Sequence, residues 1–105
     1  MAPTYKETKV GDVTLKWKEN SAKAAPSLKH QATAVDALND NSVLKENATD
    51  VMFHGAGYKD ANGKEVVSVN YLDKDGVKIT AAKVGVDEVV FTKNVFKRFW
   101  NKISN

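Results

Sequence analysis

The chain has 105 residues, enough for one domain with a modest core, and its 42% hydrophobic and 28% charged content is that of an ordinary soluble globular protein. It has no cysteine, which excludes disulfides and thiolate metal sites and gives no redox sign of secretion. No apolar run approaches the roughly 20 residues needed to cross a membrane, and Met1–Glu7 lacks an apolar signal core, so a cytoplasmic protein is expected. The formal charge of +3 is unevenly placed. Residues 1–50 balance seven lysines against seven acids, residues 51–92 sum to −1, and residues 93–105 carry four basic groups and no acid. A polyanion would be drawn first to that last segment; alternatively, its cations complement a helix C-terminus.

Residues 1–8 read as frayed. Val10 to Lys18 alternates, with Val13, Leu15 and Trp17 on one face and Thr14, Lys16 and Lys18 on the other, which predicts a half-buried strand with a bend at Gly11-Asp12. Pro26 suits a first helical position, and Leu28, Ala32, Val35 and Leu38 follow at helical spacing, so a helix is expected over 26–38. Asn39-Asp40-Asn41 ends it, and Ser42 suits the cap of a further short turn.

Val51 to Tyr58 is read as a strand in which Gly55-Ala56-Gly57 marks a bulge or a close backbone approach. Glu65 to Leu72 alternates cleanly, with Val67, Val69 and Tyr71 on one face. Val77 to Val84 returns across Asp75-Gly76, and Asn62-Gly63 supplies a second hairpin turn. Val86 to Thr92 is the last expected strand, with Thr92 as the N-cap of a closing helix. In that helix Val95, Phe96, Phe99, Trp100 and Ile103 form one apolar stripe and Lys93, Lys97, Arg98 and Lys102 supply the charge. The expected fold is α+β, in a single domain of 1–105: a curved antiparallel sheet of four to five strands, a helix after the first strand and a C-terminal amphipathic helix.

Residue types that carry chemistry are sparse. His30, on the expected polar side of its helix, and His54 are the only histidines, and neither has a carboxylate at metal-ligand spacing. Gly55-Ala56-Gly57 lacks the Lys-Ser/Thr pair of a phosphate loop. Asp73-Lys74-Asp75-Gly76 lacks the remaining ligands of a calcium loop. The serines stand in no nucleophile-elbow context, and Asp87-Glu88, adjacent on a strand, would point to opposite faces. A non-enzymatic protein without cofactor or metal is expected.

The order of elements in residues 50–105 resembles the single-stranded DNA-binding domain of the transcriptional positive-coactivator family (positive cofactor four and its relatives). The resemblance is carried by Gly63-Lys64-Glu65-Val66-Val67-Ser68-Val69-Asn70-Tyr71, the turn at Asp75-Gly76, Glu88-Val89-Val90-Phe91-Thr92, and Val95 to Ile103. It implies a Gly-Lys hairpin, strand binding across the β surface, and dimerisation through the helix and an edge strand, with short relatives in bacteria and phages. Lys64 matches the family's hairpin lysine, and Phe96, Phe99 and Ile103 match its apolar helix positions. Ala61 and Asn62 stand where the family often has an aromatic residue and a lysine, and Asn70 stands at a basic position.

A binding surface would therefore be rebuilt from Lys59, Lys64, Lys74, Lys78 and Lys83, with Lys16 and Lys18 from the first strand and Tyr58 as the stacking residue. Tyr71 shares a face with Val67 and Val69 and reads as core. Lysines would track phosphates and release counterions; aromatic faces would stack bases. The expected function is single-stranded DNA binding by a homodimer in replication, recombination or transcription. The alternative is a protein-interaction module, such as an inhibitor, adaptor or virion component, that docks through Phe96, Lys97, Phe99, Trp100 and Ile103. A membrane-resting helix is the weakest reading, since the basic segment spans few turns.

Overall fold

The computed structural model describes residues 4–18 and 25–92. Within them run β1 (Tyr5–Val10), β2 (Val13–Lys18), α1 (Leu28–Asp40), α2 (Ser42–Asn47), β3 (Asp50–Lys59), β4 (Glu65–Leu72), β5 (Lys78–Val84) and β6 (Val89–Phe91). The fold is α+β. The six strands form one sheet in chain order. All neighbours are antiparallel except β2 and β3, which run parallel, Leu15 beside Val51. A parallel pair needs a long crossover, and the segment holding α1 and α2 provides it. The sheet is thus mixed, not purely antiparallel as expected, and the first helix follows the second strand rather than the first. The strand over 5–10 was read as largely frayed because all six of its residues are exposed and it has no apolar side to betray it. Gly11-Asp12 is the tight turn joining it to β2, with Gly11 at φ 60°.

Two loops of one design shape the meander β3–β6. In residues 60–64, Gly63 N–H bonds Asp60 O and Asp60 N–H bonds Lys64 O; in residues 73–77, Asp73, Gly76 and Val77 repeat the pattern. Each glycine takes the left-handed conformation that closes such a turn, φ 77° and 78°. The opening aspartate locks the loop from outside. Asp60 Oδ1 accepts from Asn62 and Lys64 N–H, and Asp73 Oδ1 from Asp75 and Val77 N–H, all at 2.9 Å.

The Gly55-Ala56-Gly57 segment is both bulge and close approach. His54 faces Ser68 and Tyr58 faces Val66, so residues 55–57 lie opposite Val67 alone. A Cβ on Gly57 would stand 3.1 Å from Val66 O. The last strand is shorter than the expected 86–92, because Gly85 N–H bonds Glu88 O and turns the chain. Asp87 and Glu88 therefore lie in this turn, not on a strand.

The core lies between the helices and one face of the sheet. Leu15, Val51, Phe53, Val67, Val69, Tyr71, Ala82 and Val84 pack with Ala34, Val35, Leu38 and Leu44, and Trp17, Val89 and Phe91 flank them. Cross-strand partners on this face pair in rows, such as Phe53–Val69–Ala82. Tyr71 is core, as its face implied, and its hydroxyl donates to Ala34 O at 2.8 Å, which anchors α1 to the sheet. Burial holds that phenol well above its ordinary pKa.

The stripe on α1 differs from the expected one. Leu28 is 80% exposed, and His30, Gln31, Ala34, Val35 and Leu38 face the sheet. His30 is buried because both ring nitrogens find partners, Nδ1 with Ser27 Oγ at 3.0 Å and Nε2 with Glu65 O at 3.4 Å; Gln31 Nε2 donates to Pro26 O at 2.8 Å. Hydrogen bonding offsets the cost of burying these polar groups, so they complete a stripe that hydropathy alone assigns to Leu28 and Ala32. The caps also shift, by two residues on α1 and by one on α2. Ser27 caps α1 by accepting His30 N–H, and Asn41 caps α2 by accepting from Val43 and Leu44 N–H, leaving Pro26 before the cap and Ser42 as a first helical residue. The expected closing helix, with Phe96, Lys97, Phe99, Trp100 and Ile103, lies outside the described residues.

Candidate nucleic-acid interface

Strand alternation sends every second side chain away from the helices. On that open face β1 presents Tyr5, Glu7 and Lys9; β2, Thr14, Lys16 and Lys18; β3, Asp50, Met52 and His54. Beyond them lie Ser68 and Asn70 on β4, and Lys78, Ala81 and Lys83 on β5. Pairing lines several of these residues up across the strands. Tyr5 sits opposite Lys18, His54 opposite Ser68, Ser68 opposite Lys83, and Lys83 opposite Val90. With strands about 4.8 Å apart, a row that crosses all six spans about 24 Å.

Two lysine charges reach the centre of this face. Asn70 Nδ2 lies 2.9 Å from His54 Nε2, which suits a neutral ring accepting the amide N–H. Partial desolvation against the sheet, then the charges of Lys18 and Lys78, hold the His54 imidazole below its ordinary pKa of 6.5. Two lysines from strands on either side of β3 and β4 thus act on one ring.

The expected site residues separate into three groups. Lys18, Lys78, Lys83 and Tyr58 share the open face: Tyr58 is opposite Val66 and 44% exposed, and Lys18 and Lys83 are exposed. Lys16 is on the same face but committed. Its Nζ lies 2.7 Å from Asp50 Oδ2 and 3.7 Å from Glu7 Oε1, and the Asp50 hydrogen bond leads in holding the ammonium above its ordinary pKa. Lys59, Lys64 and Lys74 stand apart. Lys59 follows Tyr58 in the strand and so points to the helix side. Lys64 and Lys74 stand beyond opposite ends of the eight-residue β4, about 25 Å apart. Lys64 Nζ bonds Glu88 Oε1 at 3.1 Å, and that bond leads in raising its pKa.

His54, Asn70 and Tyr5 belong to the face, and sequence reasoning did not select them. The signal for His54 was its parity with Met52 in a strand whose inward residues are Val51 and Phe53. Among the described residues, no group of three or more His, Asp or Glu is placed to hold a metal ion. No described helix is long and apolar enough to cross a membrane. No protein-family model, no curated protein and no solved structure matches this chain.

Proposed function

We propose that this protein binds single-stranded nucleic acid along the open face of its sheet, without catalysing a reaction. The observation that carries the reading is the placement of Lys18 and Lys78 around His54, in a row that continues through Ser68 to Lys83, on a face that neither helix covers, beside the exposed ring of Tyr58. A flat basic surface with aromatic rings suits a flexible strand, whose phosphates meet lysines while its bases stack on side chains. The antiparallel meander β3–β6 supplies most of that surface, and it is the described part of the stretch that resembles the positive-coactivator domain. DNA is the preferred polymer by the same resemblance. The cations of residues 93–105 add to the attraction for a polyanion. The apolar residues Phe96, Phe99, Trp100 and Ile103 in that segment are the basis for proposing a homodimer.

The test is fluorescence anisotropy with a labelled oligo-dT of about 20 nucleotides at two salt concentrations, beside light scattering for mass. Submicromolar binding that weakens steeply with salt, from a particle of twice the chain mass, is the expected result. Absence of binding at low salt would overturn the nucleic-acid reading, and a monomer that binds would overturn only the dimer.

A further inference from the structure

At one end of the open face, the 60–64 loop, the 85–88 turn and the edge strand enclose a hollow of about 300 Å³. That volume is at the lower limit of ordinary ligand pockets. Its apolar surface comes from Val66 and Val90; its polar groups are Asp60, Asn62, Glu88 and Lys83. Lys83 is shared with the basic row, so the hollow continues the proposed strand path. Val66 is 7% exposed while Val90 is 57% exposed, which leaves one wall packed and the other open to an arriving group.

We infer that this hollow is a nucleobase subsite that favours guanine, an inference that rests on the nucleic-acid reading above. Two carboxylates line it, so a phosphate is repelled and an uncharged hydrogen-bond donor is preferred. The apolar walls suit the face of a base. Asp60 is held in one orientation, because Oδ1 accepts two backbone N–H bonds at 2.9 Å. Its other oxygen has no hydrogen-bond partner among the described residues. Glu88 offers a second carboxylate, one oxygen of which bonds Lys64. Guanine presents adjacent ring N–H and amino donors on one edge, the pattern that acceptor-rich carboxylates match best. Thymine presents a single ring N–H. Lys83, at the border, then meets the phosphate next to the bound base.

The experiment compares the full chain's affinity for a labelled oligo-dT with that for the same oligomer carrying guanine at every third position, at one salt concentration. Guanine should tighten binding about tenfold. Asp60→Asn retains the oxygen that closes the loop but replaces the free one with a donor; Val90→Phe fills the hollow from an exposed edge position. Each should bring the guanine-to-thymine ratio to about one, and Asp60→Asn should do so with oligo-dT affinity, its salt dependence and the melting temperature kept. Equal affinity of the parent protein for both oligomers, or a preference that survives both variants, overturns the subsite and leaves the nucleic-acid reading standing. Failure of every oligomer to bind at low salt overturns both.

Discussion

The two faces of the sheet are built from the same strands and have opposite characters. On the helix side, β2 to β5 contribute fully buried residues, and the polar groups there (His30, Gln31, Thr80, the Tyr71 hydroxyl) have hydrogen-bond partners. On the open side, the lysines divide by whether an acid is within reach. Lys16 has Asp50 and Glu7, whereas Lys18 and Lys78 flank a histidine instead and Lys83 stands opposite Ser68. One face stabilises the fold, and the other keeps charge that folding does not use. Mutations should therefore separate cleanly into those that unfold the protein and those that only disarm it.

The largest effect is expected inside. Phe53→Ala empties a fully buried site at the middle of the core and should cost about 3–5 kcal/mol, read by denaturant unfolding. Tyr71→Phe keeps the ring but strips the bond to Ala34 O, and should cost about 1 kcal/mol in the same assay. On the open face the pattern reverses. The pair Lys18→Glu and Lys83→Glu should reduce oligo-dT affinity at least tenfold while stability moves by no more than about 0.5 kcal/mol. A variant that lost both would show that the two faces are not independent. Lys64→Ala, which removes one exposed ion pair at the sheet end, should change stability by under about 1 kcal/mol and binding little.

Acid sharpens the comparison through His54. Burial and two lysines depress its pKa in the fold, so as pH falls past 6.5 the unfolded chain takes up the proton first. The stability linked to this residue is full above that pH and is lost as pH falls toward the depressed value. His54→Gln should flatten that part of the stability profile. A bound polyanion neutralises Lys18 and Lys78 and favours the imidazolium. Affinity for oligo-dT should therefore rise over the same acid range in the parent protein and rise less in His54→Gln, as measured by anisotropy across pH.

The parts of this organisation that the sequence revealed are those written in local pattern. β4 was legible from Val67, Val69 and Tyr71, the loops from Asn62-Gly63 and Asp75-Gly76, and the bulge from its two glycines. β1 was not, since an edge strand exposed on both faces needs no alternation. The parallel pairing of Leu15 with Val51 joins segments 36 residues apart, and no local signal encodes it. On α1 the misleading residue was Leu28: hydropathy favoured it over His30 and Gln31, whose burial depends on hydrogen bonds to Ser27, Glu65 and Pro26. The candidate site was legible by residue type and not by grouping. Period two alone separates Lys59 from Tyr58, but the commitments of Lys16 to Asp50 and Lys64 to Glu88 are tertiary facts. So is the placement of Lys18 and Lys78 on either side of His54.

The claim that one face binds and the other holds the fold is tested most directly by backbone amide NMR of the labelled protein during titration with oligo-dT. The account predicts shifts concentrated at Lys18, His54, Tyr58, Ser68, Asn70 and Lys83, with α1 and the loop around Lys74 nearly unmoved. Shifts centred on α1 or on the 73–77 loop, or saturable binding with the open face silent, would contradict it.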